Sequence, residues 1–230
     1  MKQLIIGDIH GCFAELIDLL DRAGITSDDE IIAVGDLVDR GPDSPRVLEF
    51  FRNNPRARSL LGNHERKHLR SYRKEIPPSL SQQIAREQFG KERYLEAIAF
   101  METLPIFLEL PEVFVVHGFF EPNVRLEEQR EVVLAGTMSG GGYLQKRYPR
   151  PWYELYTEDK PIVVGHLNYL GNGQPLIYHD RVFGIDTGCC HGGTLTGLLL
   201  PDFRIVSVPS RKNYWSEIKR SSEDRTRPPS

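Results

Sequence analysis

The stretch Leu4-Ile5-Ile6-Gly7-Asp8-Ile9-His10-Gly11 begins with an apolar run that stops at a glycine and continues with polar side chains. A short apolar run of this kind is typical of a buried strand, and the polar residues belong to the loop that leaves it. The next apolar residues recur at helical spacing, at Phe13, Leu16, Ile17 and Leu20. Because Gly24 then terminates the helical pattern, the stretch predicts a strand–loop–helix unit.

Two more units of the same kind follow along the chain. The run Ile31-Ile32-Ala33-Val34 stops at Gly35, and the run Ser59-Leu60-Leu61 stops at Gly62. Between these two runs, residues 47–51 fit a helix. Successive strand–loop–helix units predict an α/β fold with a largely parallel sheet and helices on its faces.

The second half of the chain has a different character. Residues 65–104 are polar with helical spacing, which predicts a helical insertion on the flank of the sheet. Short apolar runs separated by turn residues come next, at 106–110, 113–116, 162–164, 182–185, 195–200 and 205–208. We therefore expect a second sheet that packs on the first, and one domain over residues 1–210.

Two segments are predicted to be flexible. The run Ser139-Gly140-Gly141-Gly142 has the composition of a flexible loop. The tail 211–230 is polar and has few large apolar residues after Trp215, so it is expected to be disordered or loosely docked.

The composition excludes several classes of protein. A chain of 230 residues, 40% of them hydrophobic, buries enough surface to fold without disulfides or structural metals. Its net charge of −3 gives no general field for polyanions, so extended nucleic-acid binding is not implied. No apolar stretch approaches the roughly 20 residues that cross a bilayer, so no membrane association is expected.

The cysteines and the N-terminus indicate the compartment. Cys12, Cys189 and Cys190 are an odd number without paired spacing, which is typical of free thiols in a reducing environment. The start of the chain runs directly into an apolar strand and lacks signal-peptide architecture. The protein is therefore expected to be cytoplasmic.

Side chains that bind metals or transfer protons follow five of the predicted strands. They are Asp8 and His10, Asp36, Asn63 and His64, His117, and His166. A single Gly-Asp after a strand is usually a turn, and a single Gly-His is usually a structural histidine. In open α/β sheets, however, ligands bind outside the carboxyl ends of the strands. Because the pattern recurs at each of these strand ends, it predicts one functional site.

The residue types in this pattern indicate divalent metal ions. Carboxylates, imidazoles and one amide, without a thiolate, favour manganese, iron, nickel or zinc over a cysteine-rich structural zinc site. An aspartate that bridges two ions roughly 3.5–4 Å apart is what a two-metal hydrolase needs. Two such cations lower the pKa of a bridging water and neutralise phosphate oxygens, so the pattern favours phosphoester hydrolysis.

The order of the motifs resembles the phosphoprotein phosphatase family, a branch of the calcineurin-like metallophosphoesterases. The resemblance is carried by Gly7-Asp8-Ile9-His10-Gly11, Gly35-Asp36-Leu37-Val38-Asp39-Arg40-Gly41, Gly62-Asn63-His64-Glu65, His117-Gly118 and Gly165-His166. It runs from residue 4 to about residue 208. The later run Ile185-Asp186-Thr187-Gly188-Cys189 is similar to the bacterial branch that contains diadenosine tetraphosphatases and small Ser/Thr protein phosphatases.

This resemblance implies a fold, a metal centre and a set of ligands. The implied fold is a sandwich of two mixed β-sheets flanked by helices, with residues 1–210 as the catalytic domain. The implied cofactors are two divalent metal ions, with manganese expected and iron, nickel or zinc as alternatives. The implied ligands are Asp8, His10, Asp36, Asn63, His117 and His166, of which Asp36 is shared by both ions.

The resemblance also implies the catalytic roles. His64 is the expected general acid, Asp39 orients its imidazole, and Arg40 clamps the phosphate, with Asn63 also contacting substrate. The expected reaction is direct in-line attack by a metal-bridging hydroxide. Physical chemistry agrees, because an arginine fork matches two phosphate oxygens and an aspartate partner fixes the tautomer of a histidine.

Three functions are compatible with these motifs, and the first two act on a phosphorylated substrate. The first is a phosphomonoesterase of the Ser/Thr protein phosphatase type. The alternative is a diadenosine tetraphosphatase or another nucleotide hydrolase, and a remote alternative is a non-catalytic scaffold with a phosphatase fold. These alternatives depend on the segment after His117, where Arg147 or Arg150 could supply a second phosphate contact and Trp152, Tyr153 and Tyr156 could stack on adenine. Solvated charges and core packing are the commoner interpretations of these residues.

Overall fold

The computed structural model of the chain describes residues 1–226, and its side chains as far as residue 223. The first of two five-stranded sheets consists of β1 (Gln3–Ile6), β2 (Glu30–Ala33), β3 (Ala57–Ser59), β9 (Thr194–Leu200) and β10 (Arg204–Pro209). Across the sheet the order is β10-β9-β1-β2-β3. Strands β1, β2 and β3 are parallel, whereas β9 runs antiparallel to both β1 and β10.

The second sheet consists of β4 (Phe107–Glu109), β5 (Phe114–Val116), β6 (Ile162–Val164), β7 (Leu176–Tyr178) and β8 (Val182–Gly184). Its order is β4-β5-β6-β8-β7, with β5, β6 and β8 parallel and the two outer strands antiparallel. The largely parallel sheet predicted from the first three units is therefore extended by antiparallel strands. The two mixed sheets implied by the family resemblance are confirmed.

The helices cover the outer faces of the two sheets. They are α1 (Phe13–Ala23), α2 (Ser44–Asn53), α3 (Asn63–Tyr72), α4 (Leu80–Phe89), α5 (Lys91–Met101), α6 (Glu131–Leu134), α7 (Met138–Arg147) and α8 (Tyr214–Thr226). Helices α3, α4 and α5 occupy the segment in which the sequence predicts a helical insertion. No helix in residues 1–226 combines the length and the apolar character that a bilayer span requires.

A continuous apolar core lies between the two sheets. It contains Ile5 and Leu198 from the first sheet and Val163 and Phe183 from the second. Leu4 and Leu199, on the opposite face of the first sheet, pack against the helices instead. Each fully buried aliphatic side chain contributes about 1.5–3 kcal/mol, so this core holds the strand ends of both sheets in fixed positions relative to each other.

The glycine-rich run after Thr137 is helical, and the prediction of a flexible loop there was wrong. The side chain of Thr137 accepts a hydrogen bond from the backbone N–H of Gly140 at 3.0 Å and caps the start of α7. Glycine is needed at residue 140 for close packing, because an added Cβ atom would lie 2.1 Å from the carbonyl oxygen of Val132. Glycine, which is common in flexible linkers, here allows α6 and α7 to pack closely together.

This packing predicts opposite effects for two alanine substitutions in α7. Gly140→Ala is expected to lower the free energy of unfolding by about 1–3 kcal/mol, since the new methyl group overpacks against Val132. Gly142→Ala is the matched control, because a Cβ atom there meets nothing within 4 Å. The control is expected to raise stability by roughly 0.5–1 kcal/mol through helix propensity. Urea unfolding of both variants measures the difference, and equal effects would contradict this role of Gly140.

The beginning of the predicted flexible tail is structured. Helix α8 starts at Tyr214, whose side chain is buried and whose hydroxyl donates to Oε1 of the buried Glu15 at 2.8 Å. The backbone N–H of Arg211 donates to the same oxygen at 3.1 Å. The polar composition of the tail gave no sign of this buried acceptor in α1. Residues 227–230 lie outside the described residues.

Candidate active site

The predicted site residues come together where the parallel strands of both sheets end. Asp8 and His10 follow β1, Asp36 follows β2, and Asn63 begins α3 after β3. His117 and His166 follow β5 and β6 of the second sheet, so the site spans the edge of the sandwich. Their side chains are buried except that of His166, which is partly exposed.

Asp36 lies at the centre of this arrangement. Its Oδ2 atom is 3.5 Å from Nε2 of His10, and its Oδ1 atom is 3.4 Å from Nε2 of His117. Oδ1 also accepts the backbone N–H of His64 at 2.9 Å. Two groups of possible ligand atoms, each within 4.8 Å, share Asp36: one includes Asp8 and His117, the other His10 and His64. Asp36 is therefore within reach of both groups of possible ligand atoms.

Asn63 brings the two histidines of the second sheet together. Its Oδ1 atom lies 3.0 Å from Nε2 of His117 and 2.9 Å from Nδ1 of His166. The backbone N–H of His166 also donates to Oδ1 of Asp8 at 3.0 Å, which ties the two sheets together at the site. The three side chains that were predicted to complete the second metal position are thus in mutual contact.

Backbone carbonyls fix the orientation of two imidazoles. Nδ1 of His10 lies 2.8 Å from the carbonyl oxygen of Val38, and Nδ1 of His117 lies 3.0 Å from that of Val34. A donor at Nδ1 leaves Nε2 as the atom with a lone pair, and in both residues this atom faces Asp36. Burial lowers the pKa of His10 and His117 and lowers that of His166 to about 3. All three are therefore neutral imidazoles, the form that binds metals.

Buried carboxylates are clustered at the site. Burial, followed by the charges of Asp186 and Asp36, raises the pKa of Asp8 well above its usual range. Burial also raises the pKa of Asp186 to about 6. Like charges confined in an apolar surrounding are stabilised by divalent cations. Together with the oxygen and imidazole donors, these carboxylates fit a centre of hard or borderline divalent ions.

A buried network surrounds His64. Nδ1 of His64 lies 2.6 Å from Oδ2 of Asp39, and Nε2 of His68 lies 2.8 Å from Oδ1 of the same carboxylate. Although burial raises the pKa of Asp39, the bonds from His64 and His68 outweigh it and hold that pKa below its usual range. Nε2 of His64 is buried and has no hydrogen-bond partner within residues 1–223. A proton carried on this nitrogen is directed away from Asp39 and toward the ligand cluster, since Nε2 lies 4.0 Å from Asp36 Oδ2.

Arg40 contacts the cluster directly. Its Nη1 atom is 3.0 Å from Nε2 of His10, so the guanidinium donates to the nitrogen that was predicted to bind a metal. A metal ion and Arg40 are therefore alternative partners of His10. On its other side Arg40 lines a polar cavity of about 630 Å³, together with His166, Asn168, Asn172, Asp186 and His191.

The loop that carries Asp36 is held in an unusual conformation. Asp36, Asp39 and Arg40 have φ angles of 52°, 73° and 64°, in the left-handed region that non-glycine residues rarely adopt. His10 and His166 share this property, with φ angles of 47° and 68°. Such residues cost about 1–3 kcal/mol each and persist where the surroundings impose them, often at active sites.

Glu65 supplies part of that constraint, and the sequence did not reveal its role. Its carboxylate accepts the backbone N–H groups of Asp36, Leu37, Val38 and Gly62 at 2.8–3.3 Å. Burial and the neighbouring Asp36 raise the pKa of Glu65 to about 8, against the effect of these donors. Asp186 was also missed, although it follows β8 as the other site residues follow their strands.

Comparison with known proteins identifies the family. The sequence profile of the calcineurin-like phosphoesterases matches residues 1–181. The chain belongs to this family. Two predictions from the sequence are thereby confirmed, the family itself and the assignment as a phosphoric ester hydrolase. The family uses a dinuclear divalent metal centre, and the phosphoesterase has aspartate and histidine groups that could bind such ions.

Full-length relatives of this phosphoesterase are nucleotide hydrolases. It is 32% identical to the asymmetrical bis(5'-nucleosyl)-tetraphosphatase PrpE of Halalkalibacterium halodurans over 243 residues, which cover 94% of the chain and 97% of PrpE. It is 31% identical to the symmetrical bis(5'-nucleosyl)-tetraphosphatase of Edwardsiella ictaluri over 278 residues, covering 92% and 97%. These relatives support the nucleotide alternative better than the Ser/Thr protein phosphatase reading.

Solved structures confirm the fold. A crystal structure of a candidate diadenosine tetraphosphatase superposes with a TM-score of 0.75 at 28% identity, covering 91% of the phosphoesterase and 93% of that chain. A serine/threonine protein phosphatase from Saccharomyces cerevisiae gives a TM-score of 0.59 at 13% identity, covering 91% and 79%. At that identity the yeast structure shows a shared fold and carries no argument about substrate.

Proposed function

We propose that this phosphoesterase hydrolyses bis(5'-nucleosyl) tetraphosphates. The observation that carries the proposal is its similarity to tetraphosphatases over 94% of the chain, at 32% identity to PrpE. The polar cavity next to Arg40 and His166 supports it, because about 630 Å³ exceeds what one phosphoryl group needs and leaves room for a phosphate chain. The amide and imidazole lining of this cavity offers donors to phosphate oxygens.

The ligand assignment is the one that the family resemblance implies, and it is supported by the distance of 3.9 Å between Nε2 of His10 and Oδ2 of Asp8. Asp8 and His10 would hold one cation, and Asn63, His117 and His166 the other, with Asp36 shared. Bound divalent cations supply Lewis-acid charge to phosphate oxygens and lower the pKa of water. Manganese remains the metal expected from the family resemblance, with iron, nickel or zinc as alternatives, and the cytoplasmic location expected from the sequence also remains a prediction.

The residues of the chain would perform three tasks in the reaction. Asp36 and its neighbours align the reacting phosphate. Arg40 gives up its hydrogen bond to His10 and binds the oxygens of the phosphate through its planar guanidinium fork. A water molecule loses a proton to solvent as its oxygen forms a bond to phosphorus, and the bridging oxygen departs with the bonding electron pair. His64, oriented by Asp39 at 2.6 Å, gives its Nε2 proton to that departing oxygen.

Asymmetrical cleavage is the favoured outcome. The PrpE proteins of Halalkalibacterium halodurans and Oceanobacillus iheyensis, both named asymmetrical, are 32% and 30% identical over 94% of this chain, and the symmetrical relative is 31% identical over 92%. Asymmetrical cleavage of bis(5'-adenosyl) tetraphosphate yields AMP and ATP, and symmetrical cleavage yields two ADP.

Product analysis tests this proposal. The metal-loaded protein is incubated with bis(5'-adenosyl) tetraphosphate, and the products are separated by anion-exchange chromatography. We expect AMP and ATP in equal amounts, no turnover after the metal is stripped with a chelator, and recovery when manganese is restored. Two ADP would contradict asymmetrical cleavage, and an intact substrate with a fully metallated protein would contradict the proposed function.

A further inference from the structure

A second cavity, lined in part by five aromatic rings, lies beside the candidate active site and takes no part in the chemistry described above. Its volume is about 360 Å³. Its lining includes Phe119, Tyr148, Trp152, Tyr153 and Tyr169, and the remaining lining residues are Gly141, Leu144, Gln145, Pro149, Arg150, Pro151 and Leu167. We refer to it as the aromatic pocket.

The aromatic pocket and the ligand cluster both adjoin the ring of Phe119. The Phe119 ring packs edge-on against His166, with centroids 5.2 Å apart and an interplanar angle of 89°. Leu167, which also lines the pocket and is 41% exposed, directly follows His166 in the chain. His166 itself lines the polar cavity. The aromatic pocket and the polar cavity therefore lie next to the same residue.

The rings of the pocket are held in place by one another. Trp152 is buried, and its Nε1–H donates to the hydroxyl of Tyr169 at 3.2 Å. Tyr153 packs edge-on against both, with centroids 6.2 Å from Trp152 and 5.5 Å from Tyr169. A preformed aromatic cavity of this kind suits a flat heteroaromatic ring, which gains from stacking on every side, better than an alkyl side chain.

We propose that the aromatic pocket binds one nucleobase of the substrate and thereby selects the phosphate that reacts. This inference rests on the proposed function. Only a ribose separates a base from its own α-phosphate, and the pocket is lined by Phe119, which contacts His166, and by Leu167, which follows His166 in the chain. A base in the pocket therefore places the α-phosphate at the ligand cluster and directs the other phosphates into the polar cavity.

The reaction that follows from this placement is asymmetrical. The water oxygen bonds to the α-phosphorus, and the oxygen between the α- and β-phosphates leaves with its electron pair. The products are a nucleoside monophosphate and a nucleoside triphosphate. Arg150, exposed at the rim of the pocket and without a carboxylate partner within residues 1–223, offers a charge to the phosphates beside the base.

Two neighbouring glycines of α7 provide a matched test. A Cβ atom added at Gly141 would lie 3.2 Å from Cε2 of Phe119, inside the pocket, whereas one added at Gly142 meets nothing within 4 Å. Gly141→Leu is expected to lower kcat/KM for bis(5'-adenosyl) tetraphosphate by roughly 5- to 150-fold, the scale of one lost base-stacking contact. Its activity on p-nitrophenyl phosphate, which lacks a base, should stay within about two-fold of the parent, and Gly142→Leu should match the parent on both substrates.

An equal loss on both substrates, or no loss on the dinucleotide, would overturn the proposal. Leu167→Ala, at an exposed side chain of the same pocket, serves if Gly141→Leu does not fold, and it should show the same selectivity with a smaller loss. A selective loss in either variant supports the pocket as the base site.

Binding of adenosine separates failure of this inference from failure of the proposed function. In a Trp215→Phe background the only remaining tryptophan is Trp152. Adenosine, which carries no phosphate, should quench its fluorescence, and Gly141→Leu should abolish the quenching. If the protein shows this quenching but hydrolyses no dinucleoside tetraphosphate, the base site stands and the proposed function fails. Absence of quenching in the parent would overturn the base site, whatever the protein hydrolyses.

Discussion

Asp36→Asn is expected to weaken the binding of both metal ions and to remove hydrolysis of every phosphoester. The two carboxylate oxygens of Asp36 face different imidazoles, those of His10 at 3.5 Å and His117 at 3.4 Å. Asparagine keeps one acceptor oxygen for the backbone N–H of His64 but loses the second oxygen and the charge. We expect metal affinity to fall more than about 100-fold, beyond the effect of losing a group that merely supports a ligand.

Asp43→Asn is the matched control for this substitution. Asp43 lies in the same loop and caps α2 by accepting the backbone N–H of Arg46 at 3.2 Å. Asparagine caps helices equally well, so stability, metal content and turnover should be unchanged. The measurement is metal stoichiometry after dialysis, determined by elemental analysis. Two fully occupied ions in Asp36→Asn would exclude the bridging position.

His64→Asn is expected to leave both metal ions in place while reducing turnover. Nε2 of His64 is a buried nitrogen that has no hydrogen-bond partner among residues 1–223, and the opposite nitrogen, Nδ1, lies 2.6 Å from Asp39. On an alkyl phosphate, whose leaving alkoxide must be protonated, kcat should fall by roughly 10²–10⁴-fold, the scale of general acid catalysis. The loss should be smaller on bis(5'-adenosyl) tetraphosphate, because the leaving group is itself a phosphate with a pKa of about 6.

The comparison between substrates is the informative part of that experiment. If His64 only shaped the site, its replacement would lower kcat by the same factor on both substrates. That outcome would show that His64 is not the general acid. His179→Asn provides a control for the replacement itself. His179 is exposed, and its φ angle of 50° suits asparagine, so neither substrate should be affected.

Much of the fold could be read from the sequence because its central strands are apolar on both faces. In β1, Leu4 packs against helices while Ile5 packs against the second sheet, which produces an uninterrupted apolar run. The edge strands lack this signal. Strand β7 was not predicted, since its central residue Ile177 is 46% exposed, and β3 begins two residues before the predicted run because Arg58 faces solvent.

The candidate site could be predicted for the same topological reason, and its omissions have physical causes. Side chains directly after parallel strands converge, so Asp36, His117 and His166 were expected to meet and they do. Asp186 obeys that rule and could have been found by applying it to β8. The bonds from Glu65 to the loop at Asp36 could not be foreseen, because they depend on backbone groups 27–29 residues away in the chain.

The segment between His117 and β6 was the least predictable. Its glycines indicated a loop by composition, whereas close packing against Val132 makes part of the segment helical. Trp152 and Tyr156 are buried, as core packing predicts, yet Trp152 also lines the aromatic pocket. Core packing and ligand contact are therefore compatible for one side chain, and a sequence pattern does not separate them.

The central claim is that this phosphoesterase acts on dinucleoside tetraphosphates. The most direct test is the ratio of kcat/KM for bis(5'-adenosyl) tetraphosphate to kcat/KM for a phosphoseryl peptide, measured side by side on the manganese-loaded protein. The proposed function, with its polar cavity at Arg40 and His166 and its aromatic pocket, predicts a ratio above about 100, since the peptide forgoes base stacking and most phosphate contacts. A ratio below one would contradict the claim and restore the protein phosphatase reading.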